Sequence, residues 1–328
     1  MDMNRLEKLS ALYGPSGREE QVAEYITTQL PARAEICRDA MGNLIVHLGG
    51  AGDPMIFAAH MDTVGMMVTR VDQDGYCRFT NVGWLDPASI AHQPVVFENG
   101  VTGVVCIPDD KVGKELKLTD LYLDLGAGDR SEAEKLVSVG DIAVFAPRYT
   151  ENRGRVLAAF LDNRAGCEIL LRAMEHIETP KNDVYFVFTV QEEVGTRGAG
   201  PAAYGIDGAV GIAVDVTATD DIPGSTHDGT AVLGKGAGVK VLDRAAMSRP
   251  RVMAAMEQAA EARNISVQKD IMKGGSTDAG PMAQTRAGMM VGGISLPCRY
   301  THTPVEVCDL KDLEACAALV VALAETEI

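Results

Sequence analysis

Six side chains between positions 60 and 302 are of the types that hold and use divalent metal ions. His60 stands in AAHMD, Asp162 in FLDNR, Glu192 and Glu193 in QEEVG, Asp215 in AVDVT and His302 in YTHTP. Two imidazoles and three carboxylates suit a pair of divalent transition metals. One further glutamate is what a metal-activated water needs as proton acceptor. Three carboxylates and a bridging hydroxide balance two dications, and neutral imidazoles add no charge, so the filled cluster tolerates partial burial. Asp162 precedes a helix start and is the natural bridge. Asp62, two residues after His60, is placed to accept the other ring N–H of that histidine and so set its tautomer. Glu192 and Glu193 are adjacent and point in different directions. We read Glu193 as the ligand and Glu192 as the general base; local sequence is also compatible with the reverse.

The elements that position these groups are legible as apolar runs. MIFAA precedes His60, VLAAFL precedes Asp162, VYFVFTV precedes Glu192, GIAV precedes Asp215 and GISLP precedes His302. In open α/β sheets ligands collect beyond the carboxyl ends of the strands, which would bring all six to one edge. DVYFVFTV and AVGIAVDV are continuous apolar runs, the pattern of strands covered on both faces. Helices are predicted over 5–13, from a Ser16/Glu19 capping box to about 30, and over 163–176, 251–263 and 310–326. The predicted fold class is α/β, a doubly wound, mostly parallel sheet. From 68 to 156 the texture changes to short β runs, an Asn99-Gly100 hairpin signal and one helix opened by Ser131 and Glu134. We read this as a small β-rich domain, 68–156, inserted into a catalytic domain made of 1–67 and 157–328.

Composition narrows the function classes. The formal charge of −16, from 46 acidic and 30 basic side chains, disfavours nucleic acid and anionic membrane as partners. The apolar runs are too short to span a bilayer, and the charged start MDMNRLEKLS lacks the pattern of a secretory signal, so a cytoplasmic protein is expected. Seven dispersed cysteines without a CxxC pair read as reduced, mostly buried thiols. His47, His92, His176 and His227 are weaker candidates, with His227 the strongest of them because it follows Asp215. Asp278, in GGSTDAG, either lines the pocket or caps a helix. Lys240, Arg244 and Arg299 offer positive charge to an acidic substrate residue.

HMDTVG, LDNRAGC, QEEVGTRGA, VDVT, GGSTDAG and PCRYTHTPVE occur in an order and spacing that resembles the M42 family of metallo-aminopeptidases. LYGPSGREEQV and DLGAGDRSEAE extend the likeness nearly end to end. The family includes glutamyl aminopeptidases and self-compartmentalising tetrahedral peptidases. The resemblance implies a phosphorylase/hydrolase-like zinc-peptidase fold with a PDZ-like insertion serving access and dimerisation. It implies two divalent ions, zinc first and cobalt as a compatible alternative. His60 and Asp215 would hold one and Glu193 and His302 the other, with Asp162 bridging and Glu192 as base. The activity implied is removal of the N-terminal residue from short peptides, by a homo-oligomer between a dimer and a dodecamer. Asn163 departs from the pattern, since many members carry a second Asp there, but no ligand is lost. The M20 deacylases use similar motifs and place their satellite domain late; here about a hundred residues separate His60 from Asp162. An M20-like deacylase and a non-enzymatic binding protein on the same fold are the alternatives.

Overall fold

The computed structural model describes residues 3–112, 115–225 and 229–328. His227 therefore lies outside the described residues. Four strands form a parallel centre, in the order Asp183–Thr189, Pro54–His60, Val210–Ala218, Met290–Arg299. Antiparallel strands extend both sides, Leu44–Gly49 and Glu35–Arg38 on one, Glu306–Asp309, Arg155–Ala158 and Tyr149–Asn152 on the other. The sheet is thus mixed, where the sequence reading expected it mostly parallel. The reason is connection length. The links 38–44, 152–155 and 299–306 are turns of a few residues, and a parallel crossover needs a dozen or more.

Alternation within the central strands fills two cores. Phe57 and Ala59 face the larger one, packed with the helices Met3–Ala11, Glu20–Gln29, Leu161–His176, Pro250–Ala262 and Leu310–Ala324. Ile56 and Ala58 face a smaller one against Ala199–Ile206 and Ala279–Ala283. Burial on both faces explains why these strands read as unbroken apolar runs. Among the described residues no helix is long and apolar enough to cross a membrane.

The β-rich stretch between His60 and Asp162 folds as a closed barrel. Six strands from Gly65–Val71 to Ile142–Phe145 surround their own core of Val68, Phe79, Val95, Leu123 and Phe145. Ile142–Phe145 pairs with both Gly65–Val71 and Pro94–Phe97, which closes the circle and leaves no open edge. Sequence pattern shows short β runs here but neither all six strands nor which two meet to close the barrel. The helix Arg130–Leu136 is capped by Asp129, whose carboxylate accepts the Glu132 N–H, and not by Ser131. A second short helix, Pro87–Ile90, begins at Asp86. The Asn99-Gly100 signal does turn a hairpin between Pro94–Phe97 and Thr102–Cys106.

Arg164 ties the N-terminal segment to the centre of the sheet. Its guanidinium is fully buried and donates to the carbonyls of Met61 at 2.7 Å, Leu9 at 2.6 Å, Leu12 at 3.2 Å and Gly14 at 3.3 Å. Burial pulls it down to about 10. Arg164→Met fills the space but strips four carbonyls of their donor. We expect it to lower unfolding free energy by about 3–5 kcal/mol. Urea melts of the two proteins check this, and a loss under about 1 kcal/mol would show that the carbonyls find other donors.

Candidate metal centre

The parallel strands end at one edge, and their last residues converge there. His60 closes the strand Pro54–His60 and is paired in register with Thr189, so the 190–193 turn begins beside it. Asp215 lies in Val210–Ala218, two strands across from that turn. Asp162 sits in the first turn of Leu161–His176, where it and Asn163 keep non-helical backbone angles. His302 lies in the short turn before Glu306–Asp309. Three residues beside or within the site hold left-handed backbone without being glycine: Phe160 at φ 62°, Gln191 at 55° and His302 at 62°. Such conformations cost on the order of 1–2 kcal/mol each and persist only where surrounding bonds dictate them.

Asp162 stands between the two histidines. Its Oδ1 lies 3.1 Å from His60 Nε2, and its Oδ2 lies 3.2 Å from His302 Nε2. Asp215 Oδ1 is 3.6 Å from the same His60 nitrogen, and Glu193 Oε2 is 3.2 Å from that of His302. Two sets of three donors result, His60/Asp162/Asp215 and Asp162/Glu193/His302, each within 4.8 Å. That span suits one ion with ligands about 2.0–2.3 Å away. Glu192 belongs to neither set. Its carboxyl is buried near His60 and Asp215, and its placement leaves Glu193 as the member of the pair that meets the donors.

Asp62 acts differently from the sequence expectation. His60 Nδ1 lies 3.1 Å from the Asp62 backbone carbonyl and 3.5 Å from its carboxylate. The carboxylate instead accepts the N–H of Glu192 at 2.9 Å, the N–H of Glu193 at 3.2 Å and the Ser16 hydroxyl at 2.6 Å. It therefore sets the backbone of the acidic pair as well as neighbouring the histidine. Ser16 and Glu19 do not form the predicted capping box. Glu19 Oε1 accepts from Gly17 and from Gln191, extending the same clasp by one residue.

Glu306 escaped the sequence reading as a site residue. It is 2% exposed, and its two oxygens accept the N–H of Asp162 at 2.9 Å and of His302 at 2.8 Å. The only signal was its place in the quoted PCRYTHTPVE motif. Trp84, also unforeseen, follows the barrel strand Cys77–Val82. Its carbonyl lies 2.9 Å from His302 Nδ1 and its ring centroid lies 6.0 Å from that imidazole. The preceding Gly83 has φ +75° and would bring a Cβ to 2.7 Å from Val64 and 3.2 Å from Glu193, so this approach requires glycine.

The remaining candidates resolve as follows. Asp278 makes no cap bond; its Oδ2 accepts from Thr189 at 2.6 Å, and its Oδ1 is buried without a partner. Lys240 is buried against Asp270 at 2.5 Å and Thr217, and Arg299 forks onto Asp221 at 2.9 and 2.6 Å. Their charges are thus matched, and Arg244 is exposed. His47 bonds Asp183 at the sheet's far end. Cys167 packs its thiol on the His60 carbonyl, and all seven cysteines are free. Asn163 donates to the Val214 carbonyl and accepts from Gly166, a structural role beside the bridge.

The electrostatics expose a surplus of negative charge. Burial pushes Glu193 up to about 8, with Asp162 adding to this and His302 opposing it. Burial likewise lifts Glu192 well above the usual range, Asp215 above it, and Asp278 to about 7. Burial alone would depress the histidines, but Asp215, Asp162 and Asp62 outweigh it at His60, and Glu193 and Asp162 carry His302 up to about 10. Without cations these groups must share protons. Glu193 Oε1 is buried with no hydrogen-bond partner, which leaves a lone pair for a cation. Donor type, span and this unmet oxygen all fit divalent ions.

Comparison with known proteins agrees. The family model for M42 glutamyl aminopeptidase matches residues 42–319. The lysyl aminopeptidase of Pyrococcus furiosus is 32% identical over 340 residues, covering 99% of this chain and 97% of that protein. A solved aminopeptidase of the archaeon Desulfurococcus kamchatkensis superposes with TM-score 0.94 at 34% identity, covering 98% of this chain and 94% of that one. The TET1 peptidase of Pyrococcus horikoshii, which assembles into a tetrahedron or a large octahedral shell, gives TM-score 0.87 at 31% identity, with 98% of each chain covered. A family match over most of the chain, and a relative at this identity over nearly all of it, place the protein: it belongs to the M42 family and is an aminopeptidase, a hydrolase of peptide bonds.

Proposed function

We propose that the chain removes N-terminal residues from short peptides at a centre that holds two divalent ions, zinc before cobalt. The observation that carries this is Asp162, whose two oxygens each face a different histidine and complete a different donor set. His60 and Asp215 would hold one ion and Glu193 and His302 the other, with Asp162 available to both. When bound, the ions supply Lewis acidity that lowers the pKa of a water and polarises a carbonyl. Glu192, outside both sets yet buried beside them, takes the proton from the attacking water and delivers it to the leaving amine. Asp62 keeps Glu192 and Glu193 in their divergent orientation through their backbone N–H groups.

The carboxyl-rich lining suits a substrate with a free α-ammonium group. Of the three basic candidates, Lys240 and Arg299 are already paired, and neither is free to bind an acidic first residue. Exposed Trp84 extends from the barrel to His302, which gives the insertion a part in shaping access. Assembly into closed homo-oligomers is proposed from the likeness to the TET1 peptidase. A deacylase reading makes the opposite demand on the substrate, a blocked amine. Alanyl-alanine and its N-acetyl form, assayed side by side, separate the two. We expect at least about a 100-fold higher kcat/KM for the free amine, a difference of about 2.7 kcal/mol in transition-state binding. Removal of metal by a chelator should abolish both activities, and added zinc or cobalt should restore them. Equal rates on the two substrates would end the aminopeptidase assignment of this pocket.

A further inference from the structure

The buried Glu306 carboxylate touches no donor atom of the centre, yet it holds two of the residues that carry them. Asp162 and His302 come from different elements 140 positions apart. Their backbone N–H groups point at the two oxygens of one side chain, at 2.9 and 2.8 Å. His302 also sits at φ 62°, a conformation its own chemistry does not favour. The N–H bond to Glu306 and the Nδ1 contact with the Trp84 carbonyl hold it from both sides. Glu306 itself is fixed by the strand Glu306–Asp309, in register opposite Ala158 in the segment that leads to Asp162. Among the described residues no side chain joins His60 to Asp215 in this way; the two hang on adjacent central strands.

We propose that Glu306 is a positioning residue that sets the affinity of one ion more strongly than that of the other. It fixes the distance between the bridging Asp162 and the terminal His302, and so preforms the Asp162/Glu193/His302 set. The His60/Asp162/Asp215 set depends on it through Asp162 alone. This inference rests on the two-ion reading above. Loss of a buried group that orients metal ligands commonly costs 10–100-fold in metal affinity.

The single tryptophan makes the two sets distinguishable. Trp84 lies against His302, and a paramagnetic ion bound there quenches its fluorescence. Metal-free wild type and Glu306→Gln are titrated with Co²⁺ alone, with calorimetry counting equivalents and fluorescence reporting the His302 set. His302→Ala, which should lose the part of the quenching that its own set contributes and keep that of the neighbouring set, assigns the signal. In Glu306→Gln we expect the quenching phase displaced about 10–100-fold to higher Co²⁺ and the other equivalent displaced clearly less. Equal weakening of both equivalents, or an unmoved quenching phase, overturns the role of Glu306. If Glu306→Gln does not fold, Glu306→Asp withdraws the carboxylate from at least one N–H and is held to the same displacement. A wild type that binds one equivalent only would take the inference down together with the two-ion reading, whereas the former outcomes leave that reading standing.

Discussion

Glu192→Gln will reduce kcat by about 10²–10⁴-fold while the chain keeps its full complement of metal. The carboxamide has the shape of the carboxylate, and the backbone N–H that Glu192 gives to Asp62 is untouched by the change. Neither donor set includes Glu192, so no ligand is removed. What disappears is the ability to accept a proton from water and return it to the leaving nitrogen. The loss should fall on kcat and on kcat/KM alike, because the proton moves only in the transition state. Glu193→Gln makes the informative contrast: it disturbs a donor of the His302 set and should lower metal occupancy along with rate. Metal content by mass spectrometry and steady-state kinetics on one dipeptide distinguish the two. A Glu192→Gln enzyme with wild-type turnover and full occupancy would transfer the base role elsewhere.

How far the sequence disclosed this centre depends on the kind of constraint each residue answers. His60, Glu193, Asp215 and His302 follow strong apolar runs that fold as central strands buried on both faces, while Asp162 follows the flanking strand Arg155–Ala158. The structure brings those five together at one sheet edge. Asp62 was legible as a neighbour of His60, but its carboxylate faces the N–H groups of Glu192 and Glu193, 130 positions later. Ser16 and Glu19 matched a helix cap three residues apart, and no local rule states that both serve the acidic loop instead. Glu306 is a strand residue among apolar neighbours, and only the fold reveals that Asp162 points its N–H there. Closure of the barrel was equally hidden, since a four-residue run such as Ile142–Phe145 carries no mark of its two partners. Local periodicity thus reports where strands lie, while long-range hydrogen bonds decide how their ends are held.

Asp162→Ala tests the shared-ligand geometry more severely than any other change. Each donor set falls from three side chains to two at once, because both count the same carboxylate. Asp215→Ala and Glu193→Ala each impair only one set. If the two ions share Asp162, its removal should empty both positions at metal concentrations that saturate wild type, and activity should fall by at least about 10⁴-fold. The same geometry has a consequence that needs no substrate. Ions that bind only the folded chain raise its melting temperature in proportion to RT ln(1 + [L]/Kd). Zinc should therefore stabilise wild type strongly, Asp215→Ala and Glu193→Ala partly, and Asp162→Ala hardly at all. The Asp162 backbone N–H still reaches Glu306 in the alanine variant, so the turn that presents position 162 has its anchor. A zinc-induced shift in Asp162→Ala as large as in either single-set variant would mean that the bridge is not shared, and that the two ions, or the one, are held by other atoms.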